Sequence, residues 1–108
     1  DMKYTLYIEA DHNDGDYITS MNVIDEETLT LVKKVCEAIK NTNAKWGHNW
    51  ITSEHCSKED KQPIELYKDV LTEDEISEFD ELVPYGEYGI HSIVEIKYAP
   101  EIDWKKVL

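Results

Sequence analysis

The chain has 108 residues, with 24 Asp and Glu against 11 basic residues and a formal net charge of −13. Every basic residue is Lys. The two-point guanidinium grip on phosphate is therefore missing, and the summed charge repels nucleic acid at long range, so no direct DNA or RNA binding is expected. An apolar fraction of 41% supplies one hydrophobic core, which fits a single domain over 1–108. The longest uncharged runs are too short to cross a bilayer. No membrane association is expected, and the cytoplasm is the expected setting.

In chain order, the first element is KYTLYIEA, which alternates. Tyr4, Leu6, Ile8 and Ala10 share one face; Thr5, Tyr7 and Glu9 share the other. Asp14-Gly15 is a favoured pair for a two-residue type I′ turn, where both positions need positive φ. Such a turn pairs Asn13 with Asp16, His12 with Tyr17, Ala10 with Thr19, Ile8 with Met21 and Leu6 with Val23. In that register Met21 and Val23 bury with Leu6 and Ile8, while Glu9, Asp11 and Ile18 look the other way.

The turn sequence DHNDGD also invites a calcium reading. An EF-hand loop needs oxygen ligands at positions 1, 3 and 5 and glycine at 6. Placing Gly15 at position 6 puts Ala10 and His12 where ligands belong. Placing Asp11 at position 1 puts Gly15 at position 5. Neither frame works, and the acidic residues read as a solvated turn.

A helix follows. Asp25 suits the N-cap, Glu26 and Glu27 its first turn, and Leu29, Val32, Val35, Cys36 and Ile39 form an apolar stripe. Lys33, Lys34 and Lys40 face solvent, and the polar run at 41–43 ends the helix. The segment KWGHNWITSEH predicts an irregular lead-in and a third strand near 48–53, followed by an exposed loop. Pro63 can open a short helix with Ile64, Tyr67, Val70 and Leu71 inward. Thr72 and Glu75 form a capping box for a helix that buries Ile76, Phe79, Leu82 and Val83 and stops at Pro84. After YGEYG comes the last clear strand, 90–99. Its alternation puts Ile90, Val94, Ile96 and Tyr98 on one face and His91, Ile93, Glu95 and Lys97 on the other. Ile102, Trp104 and Val107 close the chain as a short strand or turn against the body.

The order β-β-α-β-α-α-β predicts an α+β fold. The expected sheet is small, mostly antiparallel and opened by a β-hairpin, with two to three helices packed on one face. A doubly wound α/β fold is disfavoured, because no glycine-rich loop follows the first strand.

Catalytic signals are sparse. Cys36 and Cys56 make no disulfide scaffold, and Cys56 adjoins His55 on a chain where neighbours point apart. His12, His48, His55, Cys56 and His91 match no metal-ligand spacing, so no metal and no cofactor are expected. The best polar group is on the outer sheet face, with His91 as base and Glu9 or Asp11 orienting it. The same face supplies an interface candidate in Tyr7, Ile18 and Ile93, and Tyr85 and Tyr88 supply a second on a glycine-flanked loop. The leading expectation is a non-enzymatic protein that binds another protein or forms a homodimer, in an accessory or inhibitory role. One alternative is a small enzyme or ligand-binding domain using the His91, Glu9 and Asp11 group. The other is an acidic mimic of nucleic acid that binds a basic protein.

Overall fold

A computed structural model describes residues 2–13, 15–42, 49–51, 61–86 and 89–101. Within them the chain runs β1 (Tyr4–Asn13), β2 (Asp16–Ile24), α1 (Glu26–Asn41), α2 (Pro63–Leu66), α3 (Glu73–Asp80) and β3 (Ser92–Pro100). The strands form an antiparallel three-stranded sheet in the order β2-β1-β3. Leu6, Ile8 and Ala10 of β1 pack in one cluster with Leu29, Val32 and Val35 of α1 and Ile76 and Phe79 of α3. The helices thus cover one face of the sheet, and the fold is the expected α+β.

The hairpin begins as the turn chemistry requires. Gly15 has φ +94°, and Asn13 pairs with Asp16. The register then slips, because His12 is an extra residue on β1 and Asp11, not His12, pairs with Tyr17. Every later rung is displaced by one. Ala10 pairs with Ile18 instead of Thr19, Ile8 with Ser20 instead of Met21, and Leu6 with Asn22 instead of Val23. The expected burial of Met21 and Val23 is therefore wrong: they are 69% and 58% exposed, while Ile24 is 5% exposed. Ile18, expected on the outer face, packs against the core. Alternation does not exclude the bulge, because both sets of β2 carry large apolar residues, so the turn alone does not fix the side that faces inward. The even set gains a further tie, since the Ser20 hydroxyl donates to the Leu82 carbonyl at 2.9 Å.

A second bulge lies on β3. Glu9 pairs with Glu95 but Ala10 pairs with Ile93, leaving Val94 as the extra residue. The alternation expected of that strand is corrected accordingly. Ile93 joins Ile96 against the core, and Val94 is exposed.

Both longer helices start as their caps dictate. Asp25 accepts a hydrogen bond from the Thr28 N–H at 2.8 Å. Thr72 and Glu75 form the complete capping box, with bonds of 2.9 and 3.1 Å. Lys34 in the middle of α1 donates to Glu75 in the first turn of α3 at 2.7 Å, tying the two helices together. Burial on α1 follows the predicted stripe and extends to Leu31 and Ala38, with Cys36 and Ile39 at its margin.

The expected strand near 48–53 is not formed over 49–51; the rest of it lies outside the described residues. Trp50 instead enters the core completely, stacked on Tyr67 at 5.4 Å and edge-on to Phe79 at 4.8 Å. α2 is only four residues long. Tyr67 and Leu71 are buried as predicted, but Ile64 and Val70 are exposed. Within the helix Pro63 takes the inward place instead of Ile64, and beyond Leu66 turns closed by the Val70 and Leu71 amides on the Tyr67 carbonyl replace the helical face assigned to Val70. The closing segment with Ile102, Trp104 and Val107 lies outside the described residues.

Candidate functional site

The face of the sheet away from the helices carries Thr5, Tyr7, Glu9 and Asp11 of β1. Beside them stand Tyr17, Thr19, Met21 and Val23 of β2, and Glu95 and Lys97 of β3. Tyr17 is 57% exposed, so three large apolar side chains of β2 face outward in a row. Sequence reasoning missed this row because it placed Met21 and Val23 in the core. The signal that would have revealed it is His12, a polar residue at a hairpin mouth where a bulge is easily formed.

The charges at the middle of this face are paired locally. Glu9 and Glu95 stand directly across from one another on neighbouring strands. The Tyr7 hydroxyl donates to Glu9 at 2.9 Å, and Lys97 lies 3.2 Å from Glu95. The Lys97 ammonium also stands over the Tyr7 ring at 5.8 Å. The hydrogen bond to Glu9 pushes the Tyr7 phenol above its usual value, with burial and the Glu9 and Glu95 charges adding to it.

Glu9 and Asp11 share this face as expected, but His91 does not come to it on a strand. Ser92 is the residue across from Asp11, and His91 precedes β3 with its backbone N–H on the Asp11 carbonyl at 2.8 Å. Among the described residues, three shallow clefts, of about 310, 290 and 230 Å³, lie between α1 and α3, at the start of α1, and between α1 and β3. None of the three is lined by Glu9, Asp11 or His91. Among the described residues, no His, Cys, Asp and Glu side chains group as three or more around a point that would hold a metal. Burial pushes the Cys36 thiol up, away from the thiolate that nucleophilic chemistry needs. His48, His55 and Cys56 lie outside the described residues.

Of the expected interface residues, Tyr7 is on the open face, whereas Ile18 and Ile93 are turned to the core. Tyr85 is anchored: its hydroxyl donates to Asp80, which also accepts from the Trp50 indole N–H at 2.9 Å. Tyr88 lies outside the described residues. The loop that carries Tyr85 meets the hairpin at Gly86, which packs against the His12 imidazole with no room for a side chain. A methyl group there would clash with the ring, closest to Cδ2 and Nε2 and 2.9 Å from Cε1.

The two edges of the sheet differ. β3 carries the bulge at Val94, the charged pair Glu95 and Lys97, and Pro100 at its end. Its Ile93 N–H is taken by the Asn49 side-chain carbonyl at 2.9 Å. β2 runs nine residues, DYITSMNVI, with its only charge at Asp16, the first position. Among the described residues, no strand pairs with its outer side. No helix among them is long and apolar enough to cross a membrane. Comparison with known proteins finds no matching family model, no matching curated protein and no matching solved structure.

Proposed function

We propose that this protein works by binding another protein or a copy of itself through the open face of its sheet, in the cytoplasm and in an accessory or inhibitory role. The observation that carries this is the row of Tyr17, Met21 and Val23, each more than half exposed and all on one face of one strand. Scattered apolar residues on a surface need no explanation, but a contiguous row beside Tyr7 does. The net charge of −13 and the lack of Arg favour a protein partner over nucleic acid. Two of the carboxylates of the face, Glu9 and Glu95, are engaged by Tyr7 and Lys97, which favours a binding role over a catalytic one for that pair.

The test is site-specific photocrosslinking in the native host cell. A photoreactive side chain is placed at Met21 or Val23, with Ile64 and Val70 as controls; these lie elsewhere and are 46% and 53% exposed. Discrete adducts from Met21 and Val23 but not from the controls support the reading. Equal adduct formation from all four positions overturns it.

A further inference from the structure

We propose that β2 is a pairing edge for a second copy of this chain. Two β2 strands meet antiparallel about a two-fold axis at Ser20 and join two three-stranded sheets into one. This rests on the interaction reading above and names its partner.

The contrast between the edges points to β2. A bulge, central charges, a proline and an engaged amide are the devices by which sheets discourage strand addition, and β3 has all of them. β2 has none. The hairpin bulge falls on β1, so β2 itself stays regular over all nine residues, with neither Lys nor Pro. Its outer N–H and C=O groups form an unbroken template.

Full overlap of two such strands sets Asp16 across from Ile24, Tyr17 from Val23, Ile18 from Asn22 and Thr19 from Met21, with Ser20 opposite itself. These pairs keep inward residues with inward and outward with outward, so both copies bring their helices to the same side. Tyr17 with Val23 is an aromatic–β-branched pair of the kind that stabilises antiparallel sheets. No carboxylate meets a carboxylate across the seam, although each chain carries 24. The local neutrality of β2 also decides between a second copy and a basic peptide. Past Asp16 the strand offers a cation no partner, and Glu9, on the neighbouring strand, already accepts from Tyr7. A neutral strand apolar on both faces is best matched by another of the same kind.

Charge gives the pairing a signature. Two bodies of −13 repel each other, and salt screens that repulsion over about 8 Å at physiological strength. Self-association therefore tightens as salt rises, whereas attachment to a basic partner weakens. The experiment is sedimentation equilibrium of the full chain at about 0.02 and about 0.5 M salt. It is run beside two double variants, Thr19→Lys with Met21→Lys and Thr19→Glu with Met21→Glu.

The expected result is a dimer favoured by salt, two variants that are each monomeric, and a heterodimer when the two are mixed, since residue 19 of one chain opposes residue 21 of the other. Circular dichroism checks that the variants are folded. If either is not, amide exchange of the wild type decides: slower exchange along β2 in concentrated than in dilute protein supports the pairing, and no difference overturns it. A wild type that is monomeric at both salt concentrations, or variants that dimerise unmixed as the wild type does, also overturns it. The wider interaction reading is judged separately, by crosslinking at Met21 and Val23.

Discussion

The hairpin register decides which side chains of β2 are available to a partner, and two single substitutions separate the alternatives. Ile24 is 5% exposed, pairs with Tyr4 and lies in the core cluster. Truncating a buried Ile to Ala removes the transfer free energy of the deleted carbons and leaves a cavity, together about 2–5 kcal/mol. Ile24 ends its strand, where the surroundings relax more easily, so Ile24→Ala is expected near about 2–3 kcal/mol. Val23 is 58% exposed on the opposite face, and Val23→Ala should stay within about 0.5 kcal/mol. In a domain of this size each kcal/mol moves Tm by about 4–8 °C, so the two variants differ by roughly 6 °C or more. Urea unfolding followed by circular dichroism, with the slope m unchanged, measures both. If the hairpin closed without the bulge, Val23 would face Leu6 in the core and the order would invert. A Val23→Ala cost larger than that of Ile24→Ala would refute both the bulge and the exposed row built on it.

Other expectations follow from particular contacts. Gly86→Ala drives a methyl group against Cδ2 and Nε2 of the His12 ring and should cost about 1–3 kcal/mol. The double variant with His12→Ala should lose less than the sum of the singles, and strict additivity in thermal melts would show that the two sites do not touch. Asp80→Ala leaves the Trp50 indole N–H without its acceptor in a fully buried position, an expected cost of about 1–3 kcal/mol. Asp80→Asn retains an acceptor oxygen and should cost less; equal losses in urea titrations would contradict that geometry. Asn49→Ala should speed hydrogen exchange at the Ile93 amide more than at its neighbours on β3. Finally, the Thr28 backbone N–H, foremost among several contacts, holds the Asp25 carboxyl below its usual range. A lowered carboxyl stabilises fully above its unfolded pKa of about 3.9 and progressively less as pH falls through the folded value. The stability gap between wild type and Asp25→Ala should therefore narrow between about pH 5 and pH 2. A constant gap across that range would remove the cap from the account.

Local chemistry was legible wherever one residue type does one job. Asp25 and Thr72 with Glu75 marked helix starts because their side chains satisfy amides that nothing else reaches. Gly15 marked the reversal because the backbone there has positive φ. The sheet's faces were not legible, because alternation discriminates only when one parity is clearly polar. In β2 the odd set holds Tyr17, Met21 and Val23, and the even set holds Ile18 and Ile24 with Ser20 and Asn22 between them. Trp50 defeated the strand expectation for another reason. Its partners Tyr67, Phe79 and Asp80 lie far along the chain, and no local pattern announces them. Val70 was misplaced because a helical period was carried past Leu66, where the helix ends, and Ile64 because the short helix turns Pro63, not Ile64, inward.

The two bulges have a common cause, and it explains why the open apolar surface is where it is. Ala10 is the smallest inward side chain of β1, and both bulges act beside it. One brings Ile18 across from Ala10 on β2, and the other brings Ile93 across from it on β3. Two isoleucines fill the room beside an alanine more fully than Thr19 and Val94, which unbulged registers would set there, and close packing favours that exchange of volume across a layer. The core thereby absorbs the two residues that regular alternation would have shown to solvent. Moving Ile18 inward moves every odd residue of β2 outward with it, since a strand has only two faces. Met21 and Val23 are thus exposed as the direct consequence of burying Ile18 beside Ala10. Enlarging Ala10 to Val should crowd both isoleucines at once. Were it tolerated without loss of stability, this account of the bulges, and with it the reason for the exposed row, would fail.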